Sequence, residues 1–159
     1  MTELSPSEGR QETPLERYDR NLTELMGELR VALPGVQVLF GFLLVVPFNQ
    51  RFATVSRFER DLYFATLLLT LLASTLLIAP TALHRIAFRR GQKAYVVTMA
   101  NRLTIAGLVA LAAALTSATA LVTHFLLGQT TAIITTCLVA VALGLIWFGL
   151  PLRQRLRSD

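Results

Sequence analysis

Cysteine is almost absent. Cys137 stands alone among 159 residues, which excludes an intrachain disulfide and a cysteine-cluster metal site. Charge is also sparse. Only 16% of residues are charged, against about 25% in an ordinary soluble domain. Histidine occurs twice, at His84 and His124. None of the ten acids falls inside a long apolar run. A proton-coupled carrier usually keeps an ionisable group within the bilayer, and four-span multidrug exporters rely on an intramembrane glutamate that has no counterpart here. No glycine loop precedes a lysine to cradle phosphate. No internal repeat and no low-complexity tract interrupts the chain.

What remains is hydrophobic. Apolar residues make up 53% of the chain, and the mean hydropathy is +0.56. The net charge is +5, but the basic residues flank apolar runs, where they act as topology signals. No basic patch with interleaved aromatics appears, so nucleic acid is not an expected partner. The first thirty residues carry no basic segment leading straight into an apolar one, so no signal peptide is read there. The first apolar run is expected to act as an uncleaved anchor.

In order along the chain, residues 1–12 are polar, without periodicity, and read as a disordered tail. A helix is expected from Thr13-Pro14-Leu15-Glu16. Thr13 can cap the first turn, Pro14 needs no donor there, and Glu16 can reach back. Leu15, Tyr18, Leu22, Leu25 and Leu29 then form one narrow stripe. Residues 13–30 therefore read as a short amphipathic helix, set off from the next segment by a bend at Pro34-Gly35. Four spans follow, at about 31–48, 62–79, 103–127 and 131–150, and 151–159 is a basic tail. The fold class is all-α: a membrane-spanning four-helix bundle preceded by the amphipathic helix. The first span holds one strongly polar side chain, Gln37, read as bonding to a neighbouring helix or backbone.

Two small-residue faces invite close packing. Gly107, Ala110 and Ala114 line the third helix, and Thr136, Ala140 and Gly144 recur at four-residue spacing on the fourth. The turn between these helices, Gly128-Gln129, is minimal, so the two faces are expected to meet. Span hydroxyls have no nearby base and are expected to bond back to their own helices.

The polar stretch 84–102 carries Arg85, Arg89, Arg90, Lys93 and Arg102 and no acid. With four spans it shares a side with both termini. Arg51, Arg57 and Arg60 are the three basic residues on the other side, against twelve of the fifteen on this one. The positive-inside rule places the larger group in the cytoplasm, N-terminus and C-terminus included. Helices two and three are expected to extend beyond the bilayer as a hairpin with its tip near Arg90-Gly91. The leucine stripe of the acidic helix 13–30 is expected to dock near Ile86 and Phe88 on that hairpin. The bland alternative is that the tip arginines only hold the topology.

The segments GELRVALPGVQVLFGFLLVVPFNQRF, LHRIAFRRGQK and ANRLTIAG resemble a family of small bacterial integral membrane proteins of unknown function. The resemblance spans about 15–150. It implies a four-span protein of the bacterial inner membrane and brings no activity, ligand or catalytic residue.

The histidines sit at opposite ends of the expected threading, which argues against a shared haem or metal site. No enzyme is read here, and no catalytic, cofactor-binding or metal residue is assigned. Two functional readings stay open. One is a structural or accessory protein acting through helix packing and its cytoplasmic surface. The alternative is a small oligomeric transporter or channel with Gln37 and hydroxyls lining its path. Expected partners are the lipid bilayer and either a second copy or a larger membrane protein.

Overall fold

The computed structural model describes residues 13–87, 93–150 and Arg153. All its long elements are helices: α1 (Pro14–Val45), α2 (Arg57–Ala87), α3 (Lys93–Leu127) and α4 (Gln129–Leu143). Two short 3₁₀ turns, Val46–Phe48 and Gln50–Thr54, join α1 to α2, and a π-helical turn, Gly144–Gly149, prolongs α4. No strand occurs among the described residues. Among the described residues, four helices are long and apolar enough to cross a membrane. The tail 1–12, the hairpin tip 88–92 and the C-terminal residues other than 153 lie outside the described residues.

The capping box of α1 forms as its sequence anticipates. Thr13 Oγ1 accepts from the Glu16 N–H at 3.3 Å, and Glu16 Oε2 accepts from the Thr13 N–H at 2.8 Å. The bend at Pro34-Gly35 does not separate two helices. A single 32-residue helix runs through Pro34, so 13–30 is its first half and not an independent amphipathic element. Proline removes one i→i−4 donor and crowds the carbonyl of Arg30, a loss that membrane helices tolerate. What carries the helix through is one continuous packed face. Leu29 and Val36 are 2% and 1% exposed, with Leu25 and Leu33 packed on the same core.

That core joins Leu29 and Val36 of α1 to Ala73 and Leu77 of α2 and to Ala110 and Leu111 of α3. Leu25 and Leu29 of the leucine stripe thus pack on the body of the α2–α3 pair, while the hairpin tip lies outside the described residues. Ile86 is 77% exposed, and Phe88 lies outside the described residues. Near the same end, the Thr81 hydroxyl approaches Met26 Sδ at 3.5 Å.

Neighbouring helices run antiparallel. Met26 of α1 meets Thr81 of α2, while Leu43 meets Tyr63. Between α2 and α3, Leu77 faces Gly107 and Glu59 faces His124. The α2–α3 contact is the most extensive, α1 lies against both, and α4 packs mainly on α3. The turn into α4 is a single residue. Gly128 has φ 84° and ψ 179°, a region essentially open only to glycine. Its N–H still bonds His124 O, and its carbonyl already accepts from Ala132.

Helix α2 begins at Arg57, five residues before the expected apolar run, because Ser56 and Glu59 form a second capping box. The Ser56 N–H donates to Glu59 Oε2 at 2.8 Å, and the Glu59 N–H donates to Ser56 Oγ at 3.2 Å.

Candidate functional site

The end of the molecule that holds Gly128 brings polar and apolar groups together. The capping box fixes Glu59 in the first turn of α2. Its other oxygen, Oε1, lies 3.3 Å from His124 Nδ1 in the last turn of α3. The two side chains are 12% and 28% exposed, respectively. The Phe58 ring sits 5.3 Å from the imidazole, centroid to centroid, tilted at 58°. An ionised carboxylate only accepts, so Nδ1 carries the hydrogen of this contact and Nε2 is left with a lone pair when the ring is neutral.

Beside the pair, a groove of about 550 Å³ opens between α2, α3 and α4. Phe58 and Leu62 form one wall, Ala120 and His124 the floor, and Gln129, Ala132, Ile133, Thr136 and Cys137 the other wall. The Thr136 hydroxyl is buried and has no hydrogen-bond partner among the described residues. Most other span hydroxyls do bond back to their own helices, as Thr66 does to Leu62 O and Thr70 to Thr66 O. Ser74 and Thr104 share the orphan state of Thr136.

A second surface lies on the outside of α1. Gly27, Val31, Pro34, Val38 and Gly41 are exposed along one side, and Gln37 is exposed on its flank. A Cβ added at Gly27, Gly35 or Gly41 would meet nothing within 4 Å.

Residues 11–151 match a family of unknown function, DUF6328. The chain belongs to that family. Membership covers all four helices and assigns none of them a task. No curated protein and no solved structure matches the chain.

Of the residues singled out in this family member's sequence, several fall elsewhere than expected. Gly107 packs against α2 and not α4: a Cβ there would lie 2.8 Å from Leu77 Cγ and Cδ2. Ala110 joins the core with Ala73 and Leu77, and Ala114 is fully buried. On α4, Ala140 and Gly144 are exposed, and a Cβ at Gly144 would meet nothing within 4 Å. The two small faces therefore do not meet. The physical reason is that α2, with its bulkier Leu77, claims the glycine notch of α3. Gln37 makes no hydrogen bond within the described chain and is exposed, so the expected bond to a neighbouring helix is missing. Arg85 and Arg102 are exposed, Lys93 opens α3, and Arg89 and Arg90 lie outside the described residues. His84, in the last turn of α2, and His124 lie at opposite ends of the α2–α3 pair.

The Glu59–His124 pair was missed because Glu59 falls between the expected spans 31–48 and 62–79, outside any expected helix. The signal was there in part: Ser56-Arg57-Phe58-Glu59 is a capping-box pattern immediately before an apolar run. Nothing in the sequence announces a contact between residues 65 apart.

Proposed function

We propose that this is a structural or accessory protein of the bacterial inner membrane, acting by association with other protein inside the bilayer. The observation that carries the reading is Gln37, a carboxamide on the exposed side of an apolar helix with no partner among the described residues. A polar group facing hydrocarbon is costly, and interhelical hydrogen bonds beside small residues are a standard means of joining helices in lipid. Gly41 lies one turn from Gln37, and Pro34 and Val38 adjoin it, so a second helix can approach closely. The partner is a second copy or a larger membrane protein. Both termini are cytoplasmic in this reading, supported by the excess of basic residues on that side, and no catalytic step is assigned.

The alternative, an oligomeric transporter, also needs Gln37 to meet a second chain, since within one chain it faces outward. It would require solute flux in proteoliposomes.

The test is cross-linking in native membranes from a cysteine at Val38 or Gly41, with Cys137→Ser as background. A dimer-sized or larger adduct that Gln37→Leu weakens supports the reading. Monomer alone at both positions, at normal expression, overturns it.

A further inference from the structure

We propose that the groove between α2, α3 and α4 is a binding site for a bilayer-borne apolar molecule whose head donates a hydrogen bond, a phenol-like or alcohol head. This goes beyond the association reading and uses a different part of the molecule.

The geometry starts with His124. A carboxylate that orients a neutral imidazole through Nδ1 leaves Nε2 as an acceptor. Here Glu59 is itself held by the Ser56 N–H and hydroxyl, both at 2.8 Å, so the ring is braced through a chain of contacts rooted in the α2 backbone. Phe58 lies against the ring and adds an apolar surface for a flat head. His124 and Gln129 stand where the polypeptide turns at Gly128, so they mark the polar mouth. Thr136 and Cys137 lie about 10 Å further along α4, beyond the apolar Ala132 and Ile133.

A groove of this volume suits a small amphiphile. One strong acceptor at the mouth and apolar walls behind it set the ligand's polarity and direction. A ligand with an anionic head is disfavoured, because Glu59 already places a carboxylate beside the ring. A purely apolar chain would leave Nε2 without a donor, and the cost of that orphan separates a lipid tail in passing from a recognised head.

The experiment uses the full chain in phospholipid vesicles and an octylphenol bearing a diazirine on its tail. Photolabelling should concentrate on peptides covering 58–62 and 129–137. Unmodified octylphenol should displace the label at about one tenth the concentration needed by octylbenzene, the ratio expected for one hydrogen bond. His124→Ala should abolish that ratio. Should this variant fail to fold, Ile133→Trp keeps the Glu59–His124 pair and fills the groove, and it should remove the label from both peptides. Label spread evenly over the exposed faces of α1 and α4, or equal competition by octylbenzene, would overturn the proposal. So would undiminished labelling of Ile133→Trp.

Discussion

The Tyr63 hydroxyl donates to the carbonyl of Leu43 across 2.8 Å. In an uninterrupted helix that carbonyl would receive the N–H of residue 47, but residue 47 is Pro47 and has none. The Val46 N–H takes a 3₁₀ position on the same oxygen, and Tyr63 supplies the second donor from α2. Phe52 then closes over Tyr63, edge to face at 5.1 Å. Tyr63→Phe keeps the packing and removes the donor. It should lower stability in detergent by about 1 kcal/mol, read as a fall in thermal midpoint.

Gly107 and Gly144 form a matched pair of opposite sign. Gly107→Ala forces a methyl against Leu77, which is fully buried and has little room to move. Overpacking of this kind costs about 1–3 kcal/mol. Gly144→Ala meets nothing and should be neutral or slightly stabilising. Thermal unfolding of both variants, side by side, checks the assignment of α3's glycine face to α2. Equal effects would refute it.

Gly128→Ala places a side chain at φ 84° and ψ 179°. The strain is about 1–3 kcal/mol, and it falls on the one residue that reverses the chain between α3 and α4. Reduced yield of folded protein is expected, with the rest of the sequence unable to compensate.

Ser56 and His124 both act on Glu59, so their effects should not add. Ser56→Ala should cost about 1 kcal/mol as the loss of a cap. With Glu59 held by the backbone N–H of residue 56 alone and no longer by the hydroxyl, a subsequent His124→Ala should cost less than it does in the parent chain. A double-mutant cycle by thermal unfolding measures this coupling, and strict additivity would mean the His124 contact is incidental.

Reporter fusions after Thr54, Gly91 and Asp159 test the orientation. A periplasmic signal at the first and cytoplasmic signals at the other two are expected from the distribution of basic residues.

The helical, four-span plan was legible because long apolar runs admit few alternatives in a bilayer, and Thr13 and Glu16 announced the first cap. Pro34 misled because a proline's local penalty is visible in sequence while the packed face of Leu29, Leu33 and Val36 that overrides it is not. The small faces misled for a related reason. Periodicity picks out which residues share a side of a helix, but the choice of neighbour depends on which large side chain, here Leu77, fits the notch. The groove was illegible: it needs α4 to pack chiefly on α3 while leaving space toward α2, a matter of three-helix geometry.

The one-residue turn at Gly128 has a consequence for how the molecule can be reached. At that end the described residues offer a probe only the short 46–56 connection and a bare glycine. A protease needs several residues of extended, accessible backbone, and an antibody needs a raised patch. Neither finds one at Gly128. In the proposed orientation, with that end periplasmic, the protein should resist shaving of intact spheroplasts from that face and should take an epitope insertion only in 46–56.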